Sequence, residues 1–449
     1  MSVSQEYKSK LVSADKAAAA VKSGDWVDYG FCLSQPVLLD AALAKRVPEL
    51  RDVKIRGGMR MNPLKVVEAD PAGVSFCYNS WHQSGYERKL NDAGQCFFIP
   101  MIYRNMPRYY RQTIDVDVAF MALAPMDDEG YFSASLTNSS TRAIAEKAKI
   151  LVVEVNENLP RIADALEGRI HISEVDYVVE SGRTPLPSAD PAPAGEVEKR
   201  IAEIVLNEIV DGATIQLGVG GLPNAVGSMI ADSSLKDLAV HTEMLVDAYM
   251  IMDRAGKITN RRKNINTGNS IFSFCYGSQA LYDWAAENVS LRSAPINYVN
   301  EPHIMSRNDN LVTINNCVAI DLYGQVSAES AGARHISGTG GQLDFLTGGF
   351  MSRGGKSFIC FTSTFTDKKS GNKVSRILPA FDTYTVVTDP RSLGHYLVTE
   401  WGLANIAGCT VWERAERIIG IAHPDFRDEL AQKAAELKIW RRGNKRQAP

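Results

Sequence analysis

The chain has 449 residues, 45% of them hydrophobic, with a formal charge of −3 at pH 7 and a pI near 6.2. That length exceeds one ordinary core and fits two domains or one large α/β assembly. The weak net charge gives no overall electrostatic reason to expect nucleic acid or an anionic membrane as partner, so any polyanion site must be local.

The first residues, Met1 to Glu6, carry no apolar signal core, and no apolar run is long enough to span a bilayer, so the expected compartment is the cytoplasm. Ser23-Gly24-Asp25-Trp26-Val27-Asp28-Tyr29-Gly30 reads as a turn, a strand and a glycine turn, with Pro36 and a helix over 37–44 behind it. Residues 103–111 (YRNMPRYYR) mix aromatic and basic side chains, which suits either a stacking and phosphate patch or a subunit or domain interface. A helical stretch over 140–149 then leads into a β-branched run over 150–155. From Thr184 to Gly195 the sequence TPLPSADPAPAG holds too many prolines and small residues for a core element and reads as a linker. The expected division is 1–183, a linker over 184–196, and 197–449.

The second half opens with a helix over 197–209, and then Asp211-Gly212-Ala213-Thr214-Ile215-Gln216-Leu217-Gly218 echoes the earlier turn, strand and glycine turn, followed by Pro223 and a helix over 224–230. Only this second copy carries the full glycine set, Gly218-Val219-Gly220-Gly221-Leu222-Pro223. Its N–H groups would lie at a helix N-terminus, where they suit a phosphate or a developing oxyanion; a turn serving packing alone is the other reading. The spacing matches neither GxGxxG nor GxxxxGK[ST]. A strand is expected over 312–320. Beyond it lie three glycine clusters, Gly338-Thr339-Gly340-Gly341-Gln342, Gly348-Gly349 and Gly354-Gly355, and then a strand over 357–361; they form either a ligand cradle or a succession of hairpin and crossover turns. Leu430, Ala434, Leu437 and Trp440 lie near helical spacing in a packed amphipathic helix over 428–442, ending in a solvated basic tail of Arg441, Arg442, Lys445 and Arg446. Strands alternating with helices in both halves imply two related open α/β domains with mainly parallel sheets flanked by helices.

Three glutamates, Glu243, Glu329 and Glu400, follow β-like runs, and in open α/β sheets strand ends are where ligands sit, so each is a candidate nucleophile that spacing does not rank. His241, two residues before Glu243, would share its face in a strand and either orients the carboxylate or is a structural histidine. The seven histidines show no HExxH or paired metal spacing, so no metal site is expected, and no GxSxG elbow is present. The seven cysteines include no CxxC pair and read as reduced thiols. A carboxylate beside glycine-rich N–H donors can attack an activated acyl group, which points to acyl transfer.

The ordered motifs of both halves resemble those of the acetyl-CoA hydrolase/transferase branch of family I CoA-transferases, most closely its butyryl-CoA:acetate CoA-transferases. The resemblance rests on 22–30, Ala124-Pro125-Met126-Asp127, Glu154-Val155-Asn156, the Gly218–Pro223 turn, His241-Thr242-Glu243-Met244, Asp321-Leu322-Tyr323-Gly324-Gln325-Val326, Gly340-Gly341-Gln342-Leu343-Asp344-Phe345 and His423-Pro424-Asp425-Phe426-Arg427. It implies an active site in the cleft between two domains, with Glu243 as nucleophile. Gly218, Val219, Gly220, Gly221, Leu222, Gly341, Lys368 and Val318 are implied to contact CoA, which is a substrate and not a tightly bound cofactor. The implied reaction moves CoA from a short-chain acyl-CoA, butyryl-CoA foremost, to acetate through an acyl-glutamyl anhydride and a glutamyl-CoA thioester. A 4-hydroxybutyrate CoA-transferase and an acyl-CoA hydrolase are the alternatives. Arg60 and Asn62 lie in a stretch resembling an acyl-pocket lining, and their polarity keeps the acyl chain open. The implied partners are acyl-CoA and short-chain carboxylates, with a homo-oligomer of two or more copies.

Overall fold

The computed structural model describes residues 2–191, 193–218, 220–441 and 443; Val219 and the basic residues Arg442, Lys445 and Arg446 lie outside the described residues. Internal contacts divide the chain into two units. The first comprises Met1–Asp190, Thr242–Leu245 and Asn269–Glu301; the second comprises Pro191–His241, Val246–Gly268 and Pro302–Pro449.

The first unit is built on seven strands in the sheet order Cys96–Phe98, Phe76–Ser80, Val53–Gly57, Trp26–Asp28, Val116–Leu123, Ala148–Val155 and Tyr177–Glu180. All neighbouring pairs are parallel. Near-continuous apolar runs such as VDVAFMAL over Val116–Leu123 suit this position, because a central parallel strand is covered on both faces. Val27, Ile55, Phe120 and Val152 pack with Leu39 and Leu43 of the helix Leu38–Ala44 in one core. The helix expected over 140–149 is Thr141–Lys147, and Ala148 already begins the next strand. The later segments of this unit add the parallel strands Ser270–Cys275 and Leu291–Ser293 and the short helix Ile296–Val299.

In the second unit the strand Thr214–Leu217 has Ala239–Leu245 parallel on one side and Leu311–Asn316 parallel on the other. Lys356–Cys360 and Tyr396–Thr399 continue in parallel, and antiparallel Gly402–Asn405 closes that edge. The echo between the two halves extends to topology. Trp26–Asp28 and Thr214–Leu217 each lie between the strand that follows them and a later one, so the turn after each sits at a point where the strand order reverses, the favoured ligand position in such sheets.

Three expectations are corrected here. The run 312–320 is two strands, Leu311–Asn316 and Ala319–Asp321, because the backbone at Val318 turns aside to donate its N–H to the Ser327 carbonyl at 2.8 Å. Gly348 and Gly349 form no turn but lie inside the helix Gln342–Met351, where a Cβ on Gly348 would collide with the Met305 sulfur. The C-terminal helix is Arg427–Glu436, and Lys438 follows with φ of 60°, so the helical path stops short of Trp440. Among the described residues no helix is long and apolar enough to cross a membrane.

Candidate active site

Glu243 stands half-buried on the strand Ala239–Leu245, in the part that groups with the first unit. The side chain of Asn300, the fully buried residue that ends the helix Ile296–Val299, donates from Nδ2 to Glu243 Oε2 at 2.5 Å. A carboxylate held at one oxygen by a rigid neutral amide keeps its orientation, a property a nucleophilic carboxylate needs.

An aromatic set of the same unit includes Tyr103, whose phenol feels the charge of Glu243. The rings of Phe31 and Tyr103 lie 5.0 Å apart and those of Phe31 and Phe274 5.1 Å apart in an edge-to-face contact. Burial first, and then the charge of Glu243, push the Tyr103 phenol well above its ordinary range, so it stays neutral beside the carboxylate. Its hydroxyl lies 2.6 Å from that of Ser139. Ser139 in turn accepts the Ile296 N–H at 2.9 Å, tying Tyr103 to the helix that ends at Asn300. Ser139 and Cys32 hold φ of 44° and 48°, left-handed backbone that costs a side-chain-bearing residue free energy and is characteristic of functional sites.

The turn carrying Phe31 and Cys32 is fixed from beneath. Buried Asp28 accepts the Gly30 N–H at 2.9 Å and the Tyr110 hydroxyl at 2.6 Å, with Arg56 at 3.4 Å. Tyr103 and Tyr110 are interior residues, and Arg111 pairs with Glu146 at 2.7 Å. Within the stretch 103–111 the Tyr103 and Tyr110 rings thus serve the interior, whereas Arg108 and Arg111 are exposed.

A cavity in the first unit is lined by Cys32, Gln35, Arg60, Asn62, Glu154 and Asn156, among others. Arg60 is committed to the fold: its guanidinium lies 3.6 Å from Asp40 and donates to the carbonyls of Pro36 at 3.0 Å and Asn62 at 3.1 Å. Glu154 accepts the N–H groups of Val37, Leu38 and Leu39 at 3.1, 3.2 and 3.0 Å, closing the exposed donors at the start of the helix Leu38–Ala44. Burial pushes its carboxyl above the usual range, against the pull of those three donors.

In the second unit the two glycine turns both run into helices. Gly220, with φ of 116°, precedes the helix Gly221–Asp232, and Gly340, with φ of 57°, precedes Gly341 at the cap of Gln342–Met351. Both φ values suit glycine. Gly218 donates its N–H to Ile314 at 2.9 Å, and Gly220 lies near the Asn316 amide, so this turn sits at the ends of the strands Thr214–Leu217 and Leu311–Asn316. The Leu222 side chain is buried, which leaves its backbone as the part that can meet a ligand. Val318 follows the same strand end, while Lys368 is exposed in the loop between Thr364–Thr366 and Lys373–Ser375. Val219 lies outside the described residues.

The other candidate glutamates staple loops. Glu329 accepts the hydroxyls of Thr339 at 3.0 Å and Thr388 at 3.1 Å, and Glu400 accepts the Ser363 N–H at 2.9 Å. His241 is fully buried in its strand. Among the described residues no group of His, Cys, Asp and Glu is placed to hold a metal ion. Asn300, Phe31 and Phe274 were not anticipated; no local motif marks them, and only the fold brings them to Glu243 and Tyr103.

With this geometry in hand, the chain matches two family models, the acetyl-CoA hydrolase/transferase N-terminal domain over residues 1–188 and the C-terminal domain over residues 277–434. The butyryl-CoA:acetate CoA-transferase of Anaerostipes caccae is 50% identical over 447 residues, spanning 99% of this chain and 100% of its own. The 4-hydroxybutyrate coenzyme A transferase of Clostridium kluyveri is 37% identical over 94% of this chain and 97% of its own. Among solved structures, RipA from Yersinia pestis superposes with a TM-score of 0.90 at 34% identity, over 98% of this chain and 100% of that one.

Proposed function

The chain belongs to the acetyl-CoA hydrolase/transferase family, and from that premise we propose that it transfers CoA from a short-chain acyl-CoA, butyryl-CoA foremost, to acetate by a ping-pong route through Glu243. The observation that carries this reading is the Asn300 to Glu243 hydrogen bond at 2.5 Å, which holds a half-buried carboxylate in one orientation. The carboxylate oxygen attacks the thioester carbonyl, the C–S bond breaks, and CoA leaves as the thiolate with an acyl-glutamyl anhydride behind it. The thiolate then attacks the glutamyl carbonyl, releasing butyrate and forming a glutamyl-CoA thioester. Acetate repeats the two steps in reverse, so acetyl-CoA leaves, the carboxylate is restored, and no ATP is used.

In this reading Gly218, Val219, Gly220, Gly221, Leu222, Gly341 and Val318 contact CoA, with the exposed Lys368 meeting its anionic nucleotide end. CoA is a substrate, and no cofactor is tightly bound. Residues 1–183 and 197–449 are the two domains in sequence, joined by 184–196, with Thr242–Leu245 and Asn269–Glu301 packing into the first unit, in a cytoplasmic homo-oligomer. Asn62, on the cavity beside Cys32, and the 4-hydroxybutyrate relative favour one second reading, a 4-hydroxybutyryl donor; Arg60 adds little to it because its guanidinium is already bonded to the fold.

The test is to incubate the protein with butyryl-CoA alone, remove free ligand and search digested peptides by mass spectrometry for CoA on Glu243. An adduct that acetate discharges as acetyl-CoA is the expected result. Consumption of butyryl-CoA without adduct or acetate dependence would mean hydrolysis, and the same incubation with 4-hydroxybutyryl-CoA separates the two donors.

A further inference from the structure

We infer that Glu329 and Asp389 are positioning residues that grip the Gly338–Gly341 turn at Thr339 and at Gln342, and that the charge state of Asp389 sets how firmly the turn is presented to its ligand. The inference rests on the reading that this turn contacts CoA.

The grip is built from two neighbouring backbone segments. Val326 and Asp389 exchange backbone hydrogen bonds at 3.1 and 3.2 Å, which fixes the segment ending in Glu329 against the one containing Thr388 and Asp389. From the first, Glu329 takes the Thr339 hydroxyl, inside the turn, at 3.0 Å. From the second, Asp389 Oδ2 takes the Gln342 amide, at the first helical residue after the turn, at 2.6 Å. The Thr388 hydroxyl joins the two by donating to Glu329 at 3.1 Å. A turn held at Thr339 and again at Gln342 has Gly340 and Gly341 fixed between, which is how backbone N–H donors are kept aimed at a ligand.

Glu329 and Asp389 are 5% and 1% exposed, so both carboxyls are withdrawn from water. The second oxygen of Asp389 is buried and accepts no hydrogen bond. An ionised carboxylate with one buried oxygen unsatisfied is costly, whereas a protonated one leaves a neutral group there. Burial, and then the charge of Glu329, push the Asp389 carboxyl up to about 7. The remaining groups facing it are the Cys317 thiol, itself pushed well above its ordinary range by burial, and beyond that the guanidinium of Arg376, which donates to the Val318 carbonyl at 2.9 Å. As pH rises through about 7 Asp389 therefore becomes charged, and that charge repels Glu329 across the segment pairing that supports the turn.

The experiment is calorimetric titration of the full-length protein with CoA between about pH 6 and about pH 8, for the wild type, Asp389→Asn and Glu329→Gln. The ionisations of CoA enter all three alike, so differences belong to the protein. Asparagine keeps an acceptor for Gln342 and carries no charge; glutamine removes the repelling partner. The wild-type dissociation constant is expected to rise about threefold or more over this range, and that of either variant by less than about 1.5-fold. In turnover assays the same shift should fall on KM for the acyl-CoA and leave kcat nearly unchanged. Parallel pH curves for all three proteins, with CoA bound, would overturn the inference and leave the CoA-binding reading standing. No CoA binding by the wild type at any pH overturns both. If Asp389→Asn loses its cooperative melting transition, Glu329→Gln decides alone, a flattened curve supporting the grip and a parallel one removing it.

Discussion

Asn300 and Glu243 are 57 residues apart in the chain and 2.5 Å apart in space, with the Asn300 amide donating to one carboxylate oxygen. The amide is completely buried at the end of the helix Ile296–Val299, so it cannot swing away without disturbing that helix. One oxygen of the carboxylate is thus positioned by the fold.

Asn300→Ala removes that hold while leaving the carboxylate in place. We expect kcat to fall about 10–100-fold with KM for acyl-CoA within about threefold, since the lost bond acts on the reacting group and not on the bulk of the ligand. Asn300→Asp should be worse than alanine, because a second carboxylate raises the pKa of Glu243 and lowers its nucleophilic fraction. Steady-state kinetics with the CoA adduct followed by mass spectrometry separates these cases; an unchanged kcat in both variants would remove Asn300 from the reaction.

Glu154 bears on stability. It closes the N–H groups of Val37, Leu38 and Leu39, and Glu154→Ala leaves one buried and two part-buried donors at the start of the helix Leu38–Ala44 without their acceptor. A loss of about 2–4 kcal/mol is expected in denaturant unfolding of the first unit, with Glu154→Gln losing less because its carbonyl still accepts. A variant with wild-type unfolding would show that water replaces the carboxylate at no cost.

What was legible in the sequence was local. The strand, glycine turn and helix around Gly218 and Gly221, and the strand-end place of Glu243, follow from periodicity and turn chemistry within a few residues, and the structure has them. Glu154 belonged to a motif, but its work as a helix cap was not legible, because Val37 lies 117 residues earlier. Asn300 and Phe274 were hidden for the same reason, as side chains that matter only once separate elements converge. Gly348 was misread because a glycine needed for close packing looks identical, in sequence, to one needed for a turn.

Gly348→Ala tests that packing role directly. The added methyl would meet the side chain of Met305, which must move, so destabilisation of about 1–3 kcal/mol is expected from overpacking and not from any change of helix propensity. Shortening the obstruction, as in Gly348→Ala with Met305→Ala, should restore part of the loss in a double-mutant cycle; additive losses would refute the contact.

The second unit carries a half-buried and a buried group, His395 and Asp389, whose titrations oppose each other. Burial, and then the charge of Lys356, push the His395 ring down to about 4, and the ring nitrogen accepts the Ser357 N–H at 3.3 Å. The folded protein therefore keeps His395 neutral where the unfolded chain protonates it, so unfolding takes up a proton between about pH 4 and about pH 6.5 and stability is lost as pH falls through that window. Asp389 acts the other way. With its carboxyl raised to about 7, the folded state holds a proton that the unfolded chain releases above its ordinary value, so stability is lost as pH rises from about 4 to about 7. The two slopes cancel in large part between about pH 4.5 and about pH 6.5, and the wild-type melting temperature should be nearly flat there. Asp389→Asn exposes the histidine, and its melting temperature should fall on acidification; His395→Gln exposes the aspartate, and its melting temperature should fall as pH rises. Each slope is worth on the order of 1–2 kcal/mol, the histidine's reduced by solvent screening at its half-buried ring, or about 2–5 °C across the window. Scanning calorimetry of the three proteins at several pH values reads the signs directly, and two variants that slope in the same direction would show that the two groups are not the opposed pair.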